Sequence, residues 1–162
     1  MGELEKKDIY ACALSMPAPE DPICSEWIEE ISRHVKRNKN DEVFLVGHSL
    51  GVPAILRYLE SAEDVTLAGC VLVSGPCRPT DNSKVNRFLE SSFDFKLLKS
   101  KARKWAVIHG DNDSLVPLED AQILSKGLSA RLVVISNGGH LNGSSGWNSL
   151  SECLDALMGM MN

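Results

Sequence analysis

The chain has 162 residues, a size at which a single domain spanning residues 1–162 is expected. Its 43% apolar content suffices for a core and excludes a disordered chain, while a formal charge of −5 excludes a broad basic surface for nucleic acid. Five cysteines, Cys12, Cys24, Cys70, Cys77 and Cys153, without Cys-x-x-Cys spacing predict free thiols in a reducing, cytoplasmic setting. No apolar run approaches a membrane span, so no membrane partner is expected. Residues 1–7 carry charges where a signal peptide would carry its apolar stretch. The basic cluster His34-Val35-Lys36-Arg37-Asn38-Lys39 reads as a solvated helix end.

In chain order, polar residues 2–7 read as the end of a helix and residues 8–14 as a short strand, with Cys12 as core filler. Pro17, Pro19 and Pro22 enforce an extended crossing loop. Residues 23–36 put Trp27, Ile28, Ile31 and Val35 on one helix face, with Asp21 or Ser25 as its cap. A strand over 42–46 leads through a sharp turn into a helix over 50–61, whose Ala54, Ile55, Tyr58 and Leu59 face the sheet. The continuous apolar run 67–73 is expected of a parallel strand covered on both faces, with Cys70 inside. The interrupted stretch 80–103 reads as one or two short helices over the carboxyl ends of the strands. Strands over 104–109 and 131–135 flank a helix over 118–128, ended at or near Gly127, and an amphipathic helix over 150–161 closes the chain. Strands alternating with helices predict an α/β fold, a three-layer α/β/α sandwich with a mostly parallel sheet. Ligands of such sheets bind beyond the carboxyl ends of the strands.

The turn Gly47-His48-Ser49-Leu50-Gly51 fits Gly-x-Ser-x-Gly, and a β-branched run precedes it. That pattern sets a serine at the tip of a strained strand-to-helix turn, clear of the sheet. A side chain at either Gly47 or Gly51 is expected to crowd the turn. The serine oxygen then lies at the amino end of a helix, where N–H groups favour negative charge. A serine hydroxyl needs a base to take its proton, and the base needs a carboxylate to fix its tautomer. The loop His109-Gly110-Asp111-Asn112-Asp113-Ser114-Leu115-Val116-Pro117 offers Asp111 and Asp113, and Asn137-Gly138-Gly139-His140-Leu141-Asn142 offers His140. Of the other histidines, His34 is expected on a wet helix face, His48 beside the nucleophile, and His109 in a structural place. Histidines and cysteines lack zinc spacing, and no glycine-rich phosphate loop is present, so no metal site is expected.

With these loops in order, the chain resembles the α/β-hydrolase superfamily, and within it the small serine hydrolases of the retinoblastoma-binding serine hydrolase and YdeN type. The segments that carry the likeness are Ser15-Met16-Pro17 with the Trp27 helix, the run from Phe44 to Gly51, Leu72-Val73-Ser74-Gly75, the run from Val107 to Pro117, and Gly138 to Asn142. The resemblance implies a compact α/β-hydrolase fold and cleavage of a small ester- or amide-like substrate without a cofactor. It implies Ser49 as nucleophile, His140 as base, Asp113 ahead of Asp111 as the acid, and the Leu50 N–H as oxyanion donor. Residues 76–95 would roof the pocket, with Phe88 and Phe93 as candidate walls or as core. The family begins with a further strand and oxyanion loop, placed between the 8–14 strand and the nucleophile strand, and no residues before Asp8 match them. Three expectations follow: an amino-terminally shortened chain, a sheet that closes by pairing those two strands, or another chain in the gap. The last makes a catalytically impaired interaction module the alternative reading, with a homodimer or partner at an exposed sheet edge.

Overall fold

The computed structural model describes residues 2–37 and 42–162, the side chains of Lys36 and Arg37 excepted. Strands β1 (Phe44–His48), β2 (Gly69–Val73), β3 (Trp105–Gly110) and β4 (Arg131–Ile135) pair in parallel in the order β1-β2-β3-β4. The helices are α1 (Gly2–Glu5), α2 (Cys24–Arg37), α3 (Gly51–Ser61), α4 (Ser83–Asn86), α5 (Phe95–Ser100), α6 (Leu118–Leu128) and α7 (Ser151–Met161). The chain thus has the α/β fold that its alternating apolar runs predict.

Two-residue periodicity builds the layers. In β2 and β3 every residue is buried, as a strand covered on both faces requires. Cys70, Leu72, Trp105 and Val107 face a core shared with Trp27, Leu56, Leu59 and Leu124 of α2, α3 and α6. Val71, Val73, Ala106 and Ile108 face the opposite way, onto Leu157 and Met160 of α7. A leucine buried fully in such a layer contributes about 2 kcal/mol.

The 8–14 segment departs from expectation. Residues 8–14 form no strand: among the described residues, 10–16 make no backbone–backbone hydrogen bond, and β1 has no partner on that side. A strand persists only against a neighbouring edge, so the expected closure of the sheet does not occur, and Cys12 is exposed rather than core. Helix α6 spans Leu118–Leu128 as expected, and Ser129 rather than Gly127 caps it, in the left-handed conformation at φ +53°. Gly127 serves packing instead, since a Cβ there would lie 2.5 Å from the Phe95 ring. Of the two places open to Phe88 and Phe93, both take the core one: Phe88 packs edge-on against Trp27 at 5.4 Å, and the Arg57 guanidinium lies 4.1 Å over the Phe93 ring. The helix end expected over 34–39 lies partly outside the described residues. No helix among the described residues is long and apolar enough to cross a membrane.

One buried carboxylate ties the β2 exit to α6. Asp120 is 3% exposed, accepting hydrogen bonds from the Cys77 N–H and from Arg78 Nη2, both at 2.8 Å. Burial alone would raise its pKa, but the Arg78 guanidinium and the Cys77 N–H hold it below the ordinary carboxylate value. A depressed pKa means that the unfolded state binds more protons, so this stability is present above the ordinary pKa and lost as pH falls through the lowered one. Asp120→Ala is expected to cost about 1–3 kcal/mol at pH 7, because the buried Cys77 N–H loses its acceptor. Urea titrations should show that deficit shrinking toward pH 3.

Candidate active site

β1 runs directly into Ser49, which is held at φ +53°, a conformation that side chains other than glycine seldom adopt. Two backbone bonds fix it there: Ser49 N–H donates to the Val73 carbonyl at 2.9 Å, and Val52 N–H donates to the Ser49 carbonyl at 3.0 Å. A Cβ on Gly47 would meet the Gly51 carbonyl oxygen at 2.7 Å and Ile55 Cδ1 at 2.8 Å, whereas one on Gly51 would meet nothing within 4 Å. The expectation that both glycines are needed therefore holds at 47 and fails at 51, where the helix has already turned away. Gly47→Ala should destabilise the fold by about 1–3 kcal/mol, since backbone cannot yield as a side chain does. Gly51→Ala should be neutral or stabilising by up to about 1 kcal/mol, and denaturant midpoints of the two variants check the contrast.

The neighbouring strands end alike. Ser74 N–H donates to the Ile108 carbonyl and Asp111 N–H to the Ile135 carbonyl, each at 3.0 Å, so each exit is tied to the next strand. The loops after β1, β3 and β4 consequently meet at the carboxyl edge of the sheet. There Ser49 Oγ lies 2.9 Å from His140 Nε2, and His140 Nδ1 lies 2.8 Å from Asp113 Oδ2. The Asp113 side chain is fully buried, and that of His140 is 8% exposed. Asp113 Oδ1 accepts from the N–H groups of Leu115 at 2.9 Å and Val116 at 3.1 Å, which aims Oδ2 at the imidazole.

Three consecutive side chains of the β3 loop hold the β4 loop. Asp111 Oδ1 accepts from Asn137 N–H at 2.7 Å, Asn112 Oδ1 from Gly139 N–H at 2.7 Å, and Asp113 takes the His140 ring. Asp111 thus has the loop-holding place weighed for it, and the geometry brings Asp113 rather than Asp111 to His140. The loops can approach because both are glycine-rich: a Cβ on Gly110 would lie 2.2 Å from the Gly139 carbonyl oxygen. Behind His140, Ser145 Oγ accepts from its N–H at 3.2 Å, and Trp147 Nε1–H donates to the Gly138 carbonyl at 2.8 Å. Asn112, Ser145 and Trp147 escaped the sequence reading; a side-chain amide beside two acids in a glycine loop was the available signal for the first.

His48 Nε2 lies 2.8 Å from the His140 carbonyl oxygen and donates to it, linking the nucleophile turn to the histidine loop. Partial desolvation holds the His48 imidazole below the usual histidine range, and the neighbouring His140 ring adds to this. His109 is fully buried beneath the acid, its Nε2–H donating to the Val116 carbonyl at 2.9 Å and lying 3.6 Å from Asp113 Oδ2. His34 sits apart on α2, with Nδ1 3.0 Å from the Glu30 carbonyl oxygen. The Leu50 N–H, next to Ser49 at the start of α3, makes no hydrogen bond among the described residues and is available as a donor. A hydroxyl, an imidazole and a buried carboxylate in hydrogen-bonded sequence can move a proton off the hydroxyl and stabilise the resulting imidazolium.

Comparison with known proteins sets this geometry among relatives. Residues 2–158 match the serine hydrolase family. The YdeN protein of Bacillus subtilis (strain 168) is 32% identical over 151 residues, which cover 92% of this chain and 79% of that protein. The crystal structure of the B. subtilis YdeN gene product has a TM-score of 0.92 at 31% identity, covering 99% of this chain and 87% of that one. Est1E from Butyrivibrio proteoclasticus, at 15% identity, shares the fold with a TM-score of 0.64, covering 87% of this chain and 72% of that one.

Proposed function

We propose that this chain, which belongs to the serine hydrolase family, cleaves a small ester- or amide-like substrate through an acyl-enzyme intermediate on Ser49. The observation that carries this reading is the unbroken run from Ser49 Oγ through His140 to Asp113, with links of 2.9 and 2.8 Å. Asp113 accepts a hydrogen bond from the Nδ1–H of His140, which keeps that proton on Nδ1 and leaves Nε2 free to accept one. As Ser49 Oγ attacks the carbonyl carbon, its proton passes to Nε2 and the carbonyl electrons move onto oxygen, where the Leu50 N–H donates. Collapse expels the leaving group, which takes the proton from His140. Water then repeats the sequence on the acyl group and releases the acid and Ser49. The five unpaired thiols support a reducing, cytoplasmic setting for this chemistry.

Turnover of p-nitrophenyl acetate and butyrate by the purified chain tests the reading, with Ser49→Ala as control. A second reading, an impaired scaffold that binds a partner, draws support from the outer edge of β1, which has no strand partner among the described residues. A folded chain that turns over no ester would favour it.

A further inference from the structure

We infer that His109 is a positioning residue for the acid: it holds the Val116 backbone against Asp113 Oδ1 and thereby reserves Oδ2 for His140. The role rests on the hydrolase reading above and adds a residue to it. His109 lies in β3, where every residue is buried, and its own side chain is fully buried. An apolar side chain would pack there without stranding a polar atom, yet the ring's Nδ1 has no hydrogen-bond partner among the described residues. The imidazole must therefore supply something that packing alone does not.

What it supplies is a donor. A proton on Nδ1 would be buried without an acceptor, so the ring carries its proton on Nε2, 2.9 Å from the Val116 carbonyl oxygen. No backbone N–H among the described residues donates to that carbonyl. Val116 is itself buried, so without His109 its carbonyl would be stranded. The N–H of the same residue donates to Asp113 Oδ1 at 3.1 Å. Val116 is thus gripped from both sides, by the strand below through its C=O and by the acid through its N–H.

Two histidines face one carboxylate oxygen. His140 Nδ1 lies 2.8 Å from Asp113 Oδ2, a hydrogen bond, whereas His109 Nε2 lies 3.6 Å from it, too far for one. His109 therefore spends its proton on Val116 and leaves Oδ2 to His140. Were that N–H free to turn onto Oδ2, the acid would be satisfied without His140, and the base would lose the partner that fixes its tautomer. The Val116 carbonyl keeps His109 occupied, and His109 in turn keeps the acid loop in register. A buried histidine beside the acid supports it without competing for it.

Steady-state kinetics with p-nitrophenyl acetate and proton NMR of the same proteins test the role. His109→Leu removes the donor at similar volume. It should lower kcat at least tenfold with KM within threefold of wild type, and should displace the Nδ1–H resonance of His140, which reports its hydrogen bond to Asp113. His109→Gln, whose amide nitrogen reaches the place of Nε2, should restore kcat to within threefold and return the resonance. Should His109→Leu not fold, His109→Asn, whose amide is too short to reach Val116, carries the same expectation. Long-range proton–nitrogen spectra of the wild-type chain should find the His109 proton on Nε2. A wild-type chain that turns over no ester would sink the hydrolase reading alone, and the His140 resonance would still decide the role of His109. A folded His109→Leu or His109→Asn with kcat and resonance unchanged, a His109→Gln as impaired as either, or a His109 proton found on Nδ1 would overturn the proposal.

Discussion

Ser49→Ala is expected to lower kcat/KM for short-chain esters by about 10⁴- to 10⁶-fold while leaving the fold intact. The side-chain oxygen has one partner, His140 Nε2, so its loss leaves no buried group stranded within the core. The strained φ of +53° is shared by serine and alanine, since both carry a Cβ. The unfolding free energy should accordingly move by less than about 0.5 kcal/mol. Initial rates and a urea titration on the same preparation separate the two effects. A variant that retains wild-type turnover would remove Ser49 from the mechanism.

Asp113→Asn should cost about 10⁴-fold in kcat, with the loop still folded. The reason is the way the carboxylate is pinned. Oδ1 accepts from the N–H groups of Leu115 and Val116, so an asparagine must place its own oxygen there. The amide nitrogen then takes the place of Oδ2, 2.8 Å from His140 Nδ1, and donates where the carboxylate accepted. His140 is driven to the tautomer with its proton on Nε2, and that nitrogen can no longer take the Ser49 proton. Asp111→Asn is the matched control. Its Oδ1 accepts from Asn137 N–H, a task that an amide oxygen performs equally well, so less than a tenfold change is expected. Steady-state kinetics on both variants decide the acid, and the reverse ranking would assign it to Asp111.

The interior of the fold was legible because its signals are periodic. A five-residue run such as Gly69–Val73, apolar throughout, has few places to go other than the middle of a parallel sheet. The β4 strand over Arg131–Ile135 was legible to the residue, bounded by the helix before it and the glycine loop after it. The three loops of the site were readable for a different reason: each follows a strand directly, and parallel strands deliver their exits to one edge. The 8–14 segment misled because apolar composition is only half of a strand, and the other half is a neighbour to pair with. Gly51 misled because sequence spacing does not say which side of a turn is crowded; the approach of the Gly51 carbonyl to Gly47 is a tertiary fact. The clamps by Asn112, Ser145 and Trp147 were hidden likewise, since they depend on how two loops far apart in sequence face each other.

The central claim, an activated Ser49, is tested most directly by labelling the purified chain with a fluorophosphonate probe beside Ser49→Ala and His140→Ala. The account predicts one covalent adduct on Ser49 in the wild-type protein, none in Ser49→Ala, and labelling slowed at least 100-fold in His140→Ala. A folded wild-type chain that takes no label, or one that labels equally without His140, would contradict it.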